Sequence, residues 1–176
     1  MRREPYIGVI GAGKSSSAID ELATEVGREI ARNEATLICG GLGGVMTAAA
    51  RGAKEVGGYT IGILPGPSIR DANDYIDFPI ATNMGQARNA IIVQTADVLI
   101  AISGGYGALS EIALALKIEK PVVALEPRFP IPGIHTAPTP REAVRKALAL
   151  LRAAPSSEAS FTDESLSSGA SPARGD

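Results

Sequence analysis

The stretch that decides the fold is Thr36-Leu37-Ile38-Cys39-Gly40-Gly41-Leu42-Gly43-Gly44-Val45-Met46-Thr47-Ala48-Ala49-Ala50. A short apolar run enters a turn made almost entirely of glycine and leaves it as a helix-period segment reaching about Val56. Strand, tight turn and helix in that order form the repeating unit of a parallel α/β sheet. Glycine in the turn lets the backbone approach a neighbour or a ligand where a Cβ would block it.

The same unit recurs on both sides. Upstream, Tyr6 to Ile10 predicts a first strand and Gly11-Ala12-Gly13 a turn. Ile19, Leu22, Ala23, Val26 and Ile30 then fall on one helical face, with Ser17 and Asp20 spaced to cap it. Downstream, Tyr59 to Leu64 predicts a third strand. Pro65 to about Asn83, with Asp71, Asp74 and Asp77, reads as a long connection of the kind that is often functional. Gly85 to Thr95 predicts a helix and Val98 to Ile102 a strand. The turn Ser103-Gly104-Gly105-Tyr106-Gly107 leads into a helix with Leu109, Ile112, Ala113 and Leu116 as its apolar face. Val122 to Leu125 predicts the last core strand. Thr139-Pro140-Arg141-Glu142 starts a helix facing inward through Val144, Leu148 and Leu151. The expected architecture is a Rossmann-like, three-layer α/β/α fold with a mostly parallel sheet, one nucleotide-binding domain over residues 1–154. Residues 155–176 are rich in Ser, Ala, Gly and Pro without an apolar period, and read as a disordered tail.

Composition narrows the function. With 176 residues, 45% of them hydrophobic, the chain fits one ordinary core. A net charge of −2 without a basic stretch argues against nucleic acid as a partner. Cys39 is the single cysteine, so no internal disulfide forms, which suits a reducing, cytoplasmic setting. No run approaches the roughly 18 apolar residues that span a bilayer, and Met1 to Pro5 enters the first strand without an apolar leader, so no membrane partner is expected. No His, Cys and acidic residues share metal-ligand spacing, and the lone His135 reads as a solvated loop residue.

The chemistry is expected at the strand-to-helix turns, because an open parallel sheet binds ligands at that edge. Free N–H groups and the helix dipole favour an anion there. The candidate partner is a phosphate-bearing small molecule. The candidate binding residues are Gly11, Gly13 and Lys14 in the first turn, Gly40, Gly41, Gly43 and Gly44 in the second, and Ser103, Gly104, Gly105, Tyr106, Gly107 and Ala108 in the third. Tight helix-on-strand packing also requires glycine, and both readings stand. Gly8 to Ser15 matches a Walker A pattern literally, and Val122 to Glu126 resembles the acidic strand end of a Walker B, so a P-loop phosphotransferase is a further alternative. Gly8, however, falls inside the strand rather than after it. Ser16 stands where the third glycine of a dinucleotide fingerprint belongs.

Three segments together resemble the LOG (Lonely Guy) family, whose members were once called lysine decarboxylases. Gly40 to Met46 is similar to its GGGxxGLM signature, Ser103 to Glu111 to its PGGxGTxxE signature, and Met84-Gly85-Gln86-Ala87-Arg88-Asn89 to its MxxxRK segment. The resemblance spans Tyr6 to Leu125. The wording of Gly40 to Met46, Ala87 to Asn89 and Ser110 to Lys117 is more similar to a sister branch that includes the molybdenum cofactor carrier proteins. The LOG resemblance implies a phosphoribohydrolase that cuts the N-glycosidic bond of a nucleoside 5′-monophosphate with no cofactor required. Arg88 and Glu111 would be its catalytic pair, with Met84 and Asn89 in the same segment. The sister branch implies a non-catalytic molybdenum cofactor (pterin) carrier or nucleotide sensor. Three departures favour binding over turnover: Ser103 replaces the motif proline, Ala108 the threonine and Asn89 the lysine. A cradle of backbone N–H groups survives all three, because it needs no side chains. Decarboxylation is not expected, since no lysine sits in a pyridoxal phosphate motif. The resemblance also implies a homodimer or dimer of dimers, with the site near a helical interface. Residue by residue, Tyr106 is expected over a ligand or a neighbouring subunit. Arg88 either serves the site or pairs with Asp97, and Glu111 either serves it or supports its helix end. Asn83 and Asn89 either meet a base edge or serve as cap and surface residues.

Overall fold

Strands of a parallel sheet are covered on both faces and therefore need near-continuous apolar runs. The computed structural model, which describes residues 4–128 and 130–153, has seven strands. They are β1 (Tyr6–Gly11), β2 (Thr36–Cys39), β3 (Thr60–Leu64), β4 (Phe78–Ala81), β5 (Val98–Ile102), β6 (Val122–Leu125) and β7 (His135–Thr136). Every residue of β2, β5 and β6 is buried. The helices are α1 (Ser17–Arg32), α2 (Val45–Glu55), α3 (Asn89–Thr95), α4 (Tyr106–Lys117) and α5 (Pro140–Ala153).

All seven strands pair in parallel, in the order β4-β3-β2-β1-β5-β6-β7. The chain thus builds outward from β1 to one edge, returns to β5 on the other side of β1, and builds outward again. That reversal opens a crevice at the carboxyl ends of β1 and β5. One cluster joins Ala23, Val26 and Ile30 of α1, Ala49 and Ala53 of α2, and Val144 and Leu148 of α5 on one face of the sheet. The other joins Ile92 and Val93 of α3 to Ile112 and Ala115 of α4 on the opposite face. The expected three-layer, Rossmann-like α/β/α architecture is what the chain forms. Helices α1 and α2 cross at backbone distance: a Cβ at Gly27 would lie 1.9 Å from the Ala49 carbonyl oxygen, and one at Gly52 1.9 Å from that of Thr24.

Several local expectations change. The connection from Pro65 to Asn83 contains a single 3-10 turn (Ile69–Asp71) and strand β4. Pro79 obscures that strand in the sequence, and its lack of an N–H explains why β4 lies at the sheet edge. Its aspartate Asp77 is structural. Burial alone would raise its pKa, but Lys54 at 2.7 Å and the Thr60 donors outweigh that and hold it below the usual carboxylate range. His135 lies in β7, a two-residue edge strand, and is exposed. The α1 cap is Ser16, whose hydroxyl accepts from the Ile19 N–H, and Ser17 is the first helical residue. Residues Gly85–Arg88 form a 3-10 turn, so the third helix proper starts at Asn89. Helix α4 buries Ala108, Glu111, Ile112 and Ala115, leaving Leu109 and Ala113 exposed. An acid on the buried face hid the true phase of that helix. The expected tail, residues 155–176, lies outside the described residues.

Candidate functional site

The crevice ends in a cavity of about 200 Å³. Of the residues singled out in the sequence, Gly11, Gly13, Gly40, Arg88, Asn89, Gly107 and Glu111 line it. Lys14, Ser103 and Gly104 instead line a neighbouring hollow of about 240 Å³ beside Arg128. Gly41, Gly43, Gly44, Met84 and Tyr106 do not line the cavity, and Tyr106 is 89% exposed. Gly105 and Ala108 line a small hollow behind the third turn. The sequence did not single out Val9, Ile10, Leu42, Met46 or Gln86, which also line the cavity. The first four look like ordinary core or turn residues, and only the fold turns them inward. The Gly8 of the Walker-like pattern pairs within β1 to Ile38 and Leu99, and a Cβ there would lie 2.3 Å from the Leu99 side chain. That glycine serves strand packing rather than a phosphate loop.

The glycines divide into two kinds. Gly44 has φ +61°, and a Cβ on it would come within 2.3 Å of the Ala12 carbonyl oxygen. A Cβ on Gly11 would lie 2.7 Å from Val45, and one on Gly104, at φ +114°, would lie 2.6 Å from Ala108. These residues lock the turns to one another. Gly105 and Gly107 differ: neither has a positive φ, and a Cβ on either would meet nothing within 4 Å. Packing among the described residues gives no reason for glycine at those two positions.

Helix capping follows the same division. Ser16 caps α1, and the Thr139 hydroxyl accepts from the Glu142 N–H at the start of α5. Helices α2 and α4 begin at Gly44 and Gly105 without a side-chain cap, and both open on the cavity through Met46 and Gly107. Their first-turn N–H groups have no intrahelical partner. The long connection steadies the second turn: Asn73 donates from its side chain to the Leu42 carbonyl (2.8 Å) and from its backbone to that of Gly41 (2.9 Å).

Two buried ionisable side chains, Arg88 and Glu111, line the cavity and interact electrostatically. Arg88 is 6% exposed and packs over Gly40, where a Cβ would lie 2.5 Å from its Nη2. Its Nη1 donates to the Asn89 Oδ1, and its buried Nε has no hydrogen-bond partner among the described residues. The expected alternative partner Asp97 accepts from the Tyr6 N–H (2.7 Å), at the amino ends of the strands. Glu111 is also 6% exposed. Burial pushes its carboxyl up to about 7, against a smaller lowering by Arg88. No hydrogen bond or ion pair engages it among the described residues. Cys39, buried beneath this pair, is held as a thiol, with burial pushing it up to about 11. Asn89 is buried rather than at the surface, and each end of its amide makes a hydrogen bond inside the chain.

The SLOG cluster4 family model matches residues 4–158. The chain belongs to the SLOG cluster4 family. Among solved structures it is similar to the molybdenum cofactor binding protein of Rippkaea orientalis, at 35% identity and a TM-score of 0.80, covering 86% of this chain and 99% of that one. It is also similar to the molybdenum cofactor carrier protein of Chlamydomonas reinhardtii, at 40% identity and a TM-score of 0.77, covering 86% and 100%. A cytokinin riboside 5′-monophosphate phosphoribohydrolase of Mycobacterium tuberculosis is 34% identical over 66% of this chain and 67% of its own length. This SLOG chain therefore sits in the LOG-like branch its motifs resemble. No described helix is long and apolar enough to cross a membrane.

Proposed function

We propose that this SLOG protein binds a small molecule built like a nucleoside 5′-monophosphate or a pterin phosphate. The phosphate rests on the free amides at the start of α4, and Arg88 and Glu111 form the polar wall of the cavity. The observation that carries this is the pair Gly105 and Gly107, glycines with no internal packing role beside an uncapped helix start. An approaching ligand supplies the missing reason for them. The buried Arg88 with an unpartnered Nε supports the same assignment, since such a group inside a fold calls for an acceptor. Gln86, at the exposed rim and without a side-chain hydrogen bond among the described residues, is free to meet a heterocycle edge. Titration calorimetry with AMP, GMP and CMP tests the assignment. Saturable binding that is lost in Gly107→Val supports it; no binding of any nucleotide by a protein that also retains no pterin, or equal binding by Gly107→Val, overturns it.

Within this reading, carrying the ligand fits better than cleaving it. Ala108 offers no hydroxyl beside the bound phosphate, and the molybdenum cofactor binding protein and the molybdenum cofactor carrier protein match across nearly their whole lengths. The cargo would be the molybdenum cofactor, held through its phosphate and pterin. Metal and pterin analysis of freshly purified protein checks this, and protein that neither retains the cofactor nor slows its oxidation contradicts it. The hydrolytic alternative rests on Arg88 and Glu111. Cleavage of a glycosidic bond builds positive charge on the sugar, which an ionised Glu111 would stabilise. Free base released from AMP by the wild-type protein but not by Glu111→Gln would establish hydrolysis in place of carriage. We also propose a homodimer or dimer of dimers, supported by the apolar side chains that α4 leaves exposed, Tyr106, Leu109 and Leu114.

A further inference from the structure

The Arg88 guanidinium and the glycine turn before α4 come from different elements, yet one chain of hydrogen bonds joins them. Arg88 Nη1 donates to Asn89 Oδ1. Asn89 Nδ2 donates to Ser110 Oγ at 3.1 Å, and Ser110 Oγ donates to the Gly107 carbonyl at 2.7 Å. The direction of this chain is forced by chemistry. A guanidinium only donates, so the asparagine must present its oxygen to Arg88 and its NH₂ to Ser110. The Ser110 hydroxyl then accepts from Asn89 and spends its one proton on Gly107.

Serine commonly bonds back to the preceding helical turn, so the Ser110–Gly107 link alone carries little. The asparagine gives it a further meaning. Asn89 is 4% exposed, lines the cavity, and uses both ends of its amide on other parts of the site. The Gly107 carbonyl belongs to the same rigid peptide plane as the Ala108 N–H, one of the free first-turn amides. Fixing that carbonyl fixes the direction of that amide. We infer that Asn89 is a positioning residue: through Ser110 it couples the Arg88 guanidinium to the amide cradle, so the two anion-binding halves of the cavity are set together. Only a carboxamide does this. An aspartate keeps the acceptor for Arg88 and loses the donor to Ser110, and a lysine places a like charge beside Arg88.

The inference rests on the binding reading above, so its test has one arm that needs no ligand. Ser110 is exposed, and Ser110→Ala should fold and melt like the wild type. In the ligand-free protein, ¹⁵N NMR of the arginine side chains should show Arg88 with slow Nε–H exchange and hindered guanidinium rotation. Ser110→Ala should speed both, and Ser110→Thr, which keeps the hydroxyl, should restore them. In the second arm, Ser110→Ala should weaken AMP binding about fivefold, the scale of one lost hydrogen bond. That loss should disappear in an Arg88→Ala background, because coupled residues are non-additive. Unchanged Arg88 dynamics in Ser110→Ala, or equal losses in both backgrounds, overturns the coupling. Failure of the wild type to bind AMP overturns the nucleotide form of the binding reading instead, and the NMR arm then decides the coupling alone.

Discussion

Glu111 concentrates the chemistry of the cavity in one carboxyl group. Its ordinary value of 4.5 applies in the unfolded chain, and burial raises it to about 7 in the fold. Between those values the folded state holds the extra proton, so this residue's contribution to stability falls as pH rises from about 4.5 through 7. Urea unfolding at pH 5 and pH 8 should show Glu111→Gln gaining on the wild type at the higher pH. An equal difference at both values would show that the carboxyl is not raised. Arg88→Ala should weaken nucleotide binding in calorimetry by tenfold or more, the scale of a buried charged hydrogen bond, about 1.5–3 kcal/mol, while leaving it measurable at high ligand concentration. Arg88 and Glu111 were legible in the sequence because the motifs carry them. Asn89 was legible as a site residue but not in its role, since nothing in the sequence brings Ser110 beside it. Met46 and Leu42 were invisible as lining residues, because an apolar residue after a glycine turn looks like core until its direction is known.

Scaled up to the turns, the question is why each glycine is there. Gly44→Ala should destabilise the protein by about 1–3 kcal/mol in thermal or urea unfolding, because its positive φ is costly for a side chain. The clash with Ala12 adds to that cost. Gly107→Ala should leave the melting temperature within a degree or two and weaken nucleotide binding. The reverse pattern would assign Gly107 to packing and remove the main support for the ligand site. From sequence these residues are indistinguishable. What separates them is what a Cβ would touch, a property of neighbouring turns far apart in the chain. The elements themselves were legible wherever an apolar run was bounded by glycine, as in β2 and β5. Strand β4 escaped because of Pro79, β7 because two residues make no pattern, and the phase of α4 because its buried face carries an acid.

Across the molecule, the reversal of strand order beside β1 puts three glycine turns at one edge of the sheet; the strand–helix alternation predicted the parallel sheet and the turns but not the strand order. Coverage of the sheet could not be read in advance. Helices α3 and α4 leave a hollow over the β3–β4 end lined by Tyr6, Thr36, Tyr59, Ile61 and Phe78, and Tyr59, Phe78 and Ile80 are each about half exposed. Light scattering should report a dimer or tetramer, and a monomer at all concentrations would contradict the proposed assembly.

The claim on which everything else rests is that the free amides ahead of α4 hold a phosphate facing Arg88. A crystal structure of the protein grown with AMP tests it most directly. The account predicts the phosphate within hydrogen-bond distance of the first-turn amides of α4, with the sugar lying between Arg88 and Glu111. A phosphate bound instead beside Lys14 and Arg128, with the cavity at Arg88 empty, would contradict it.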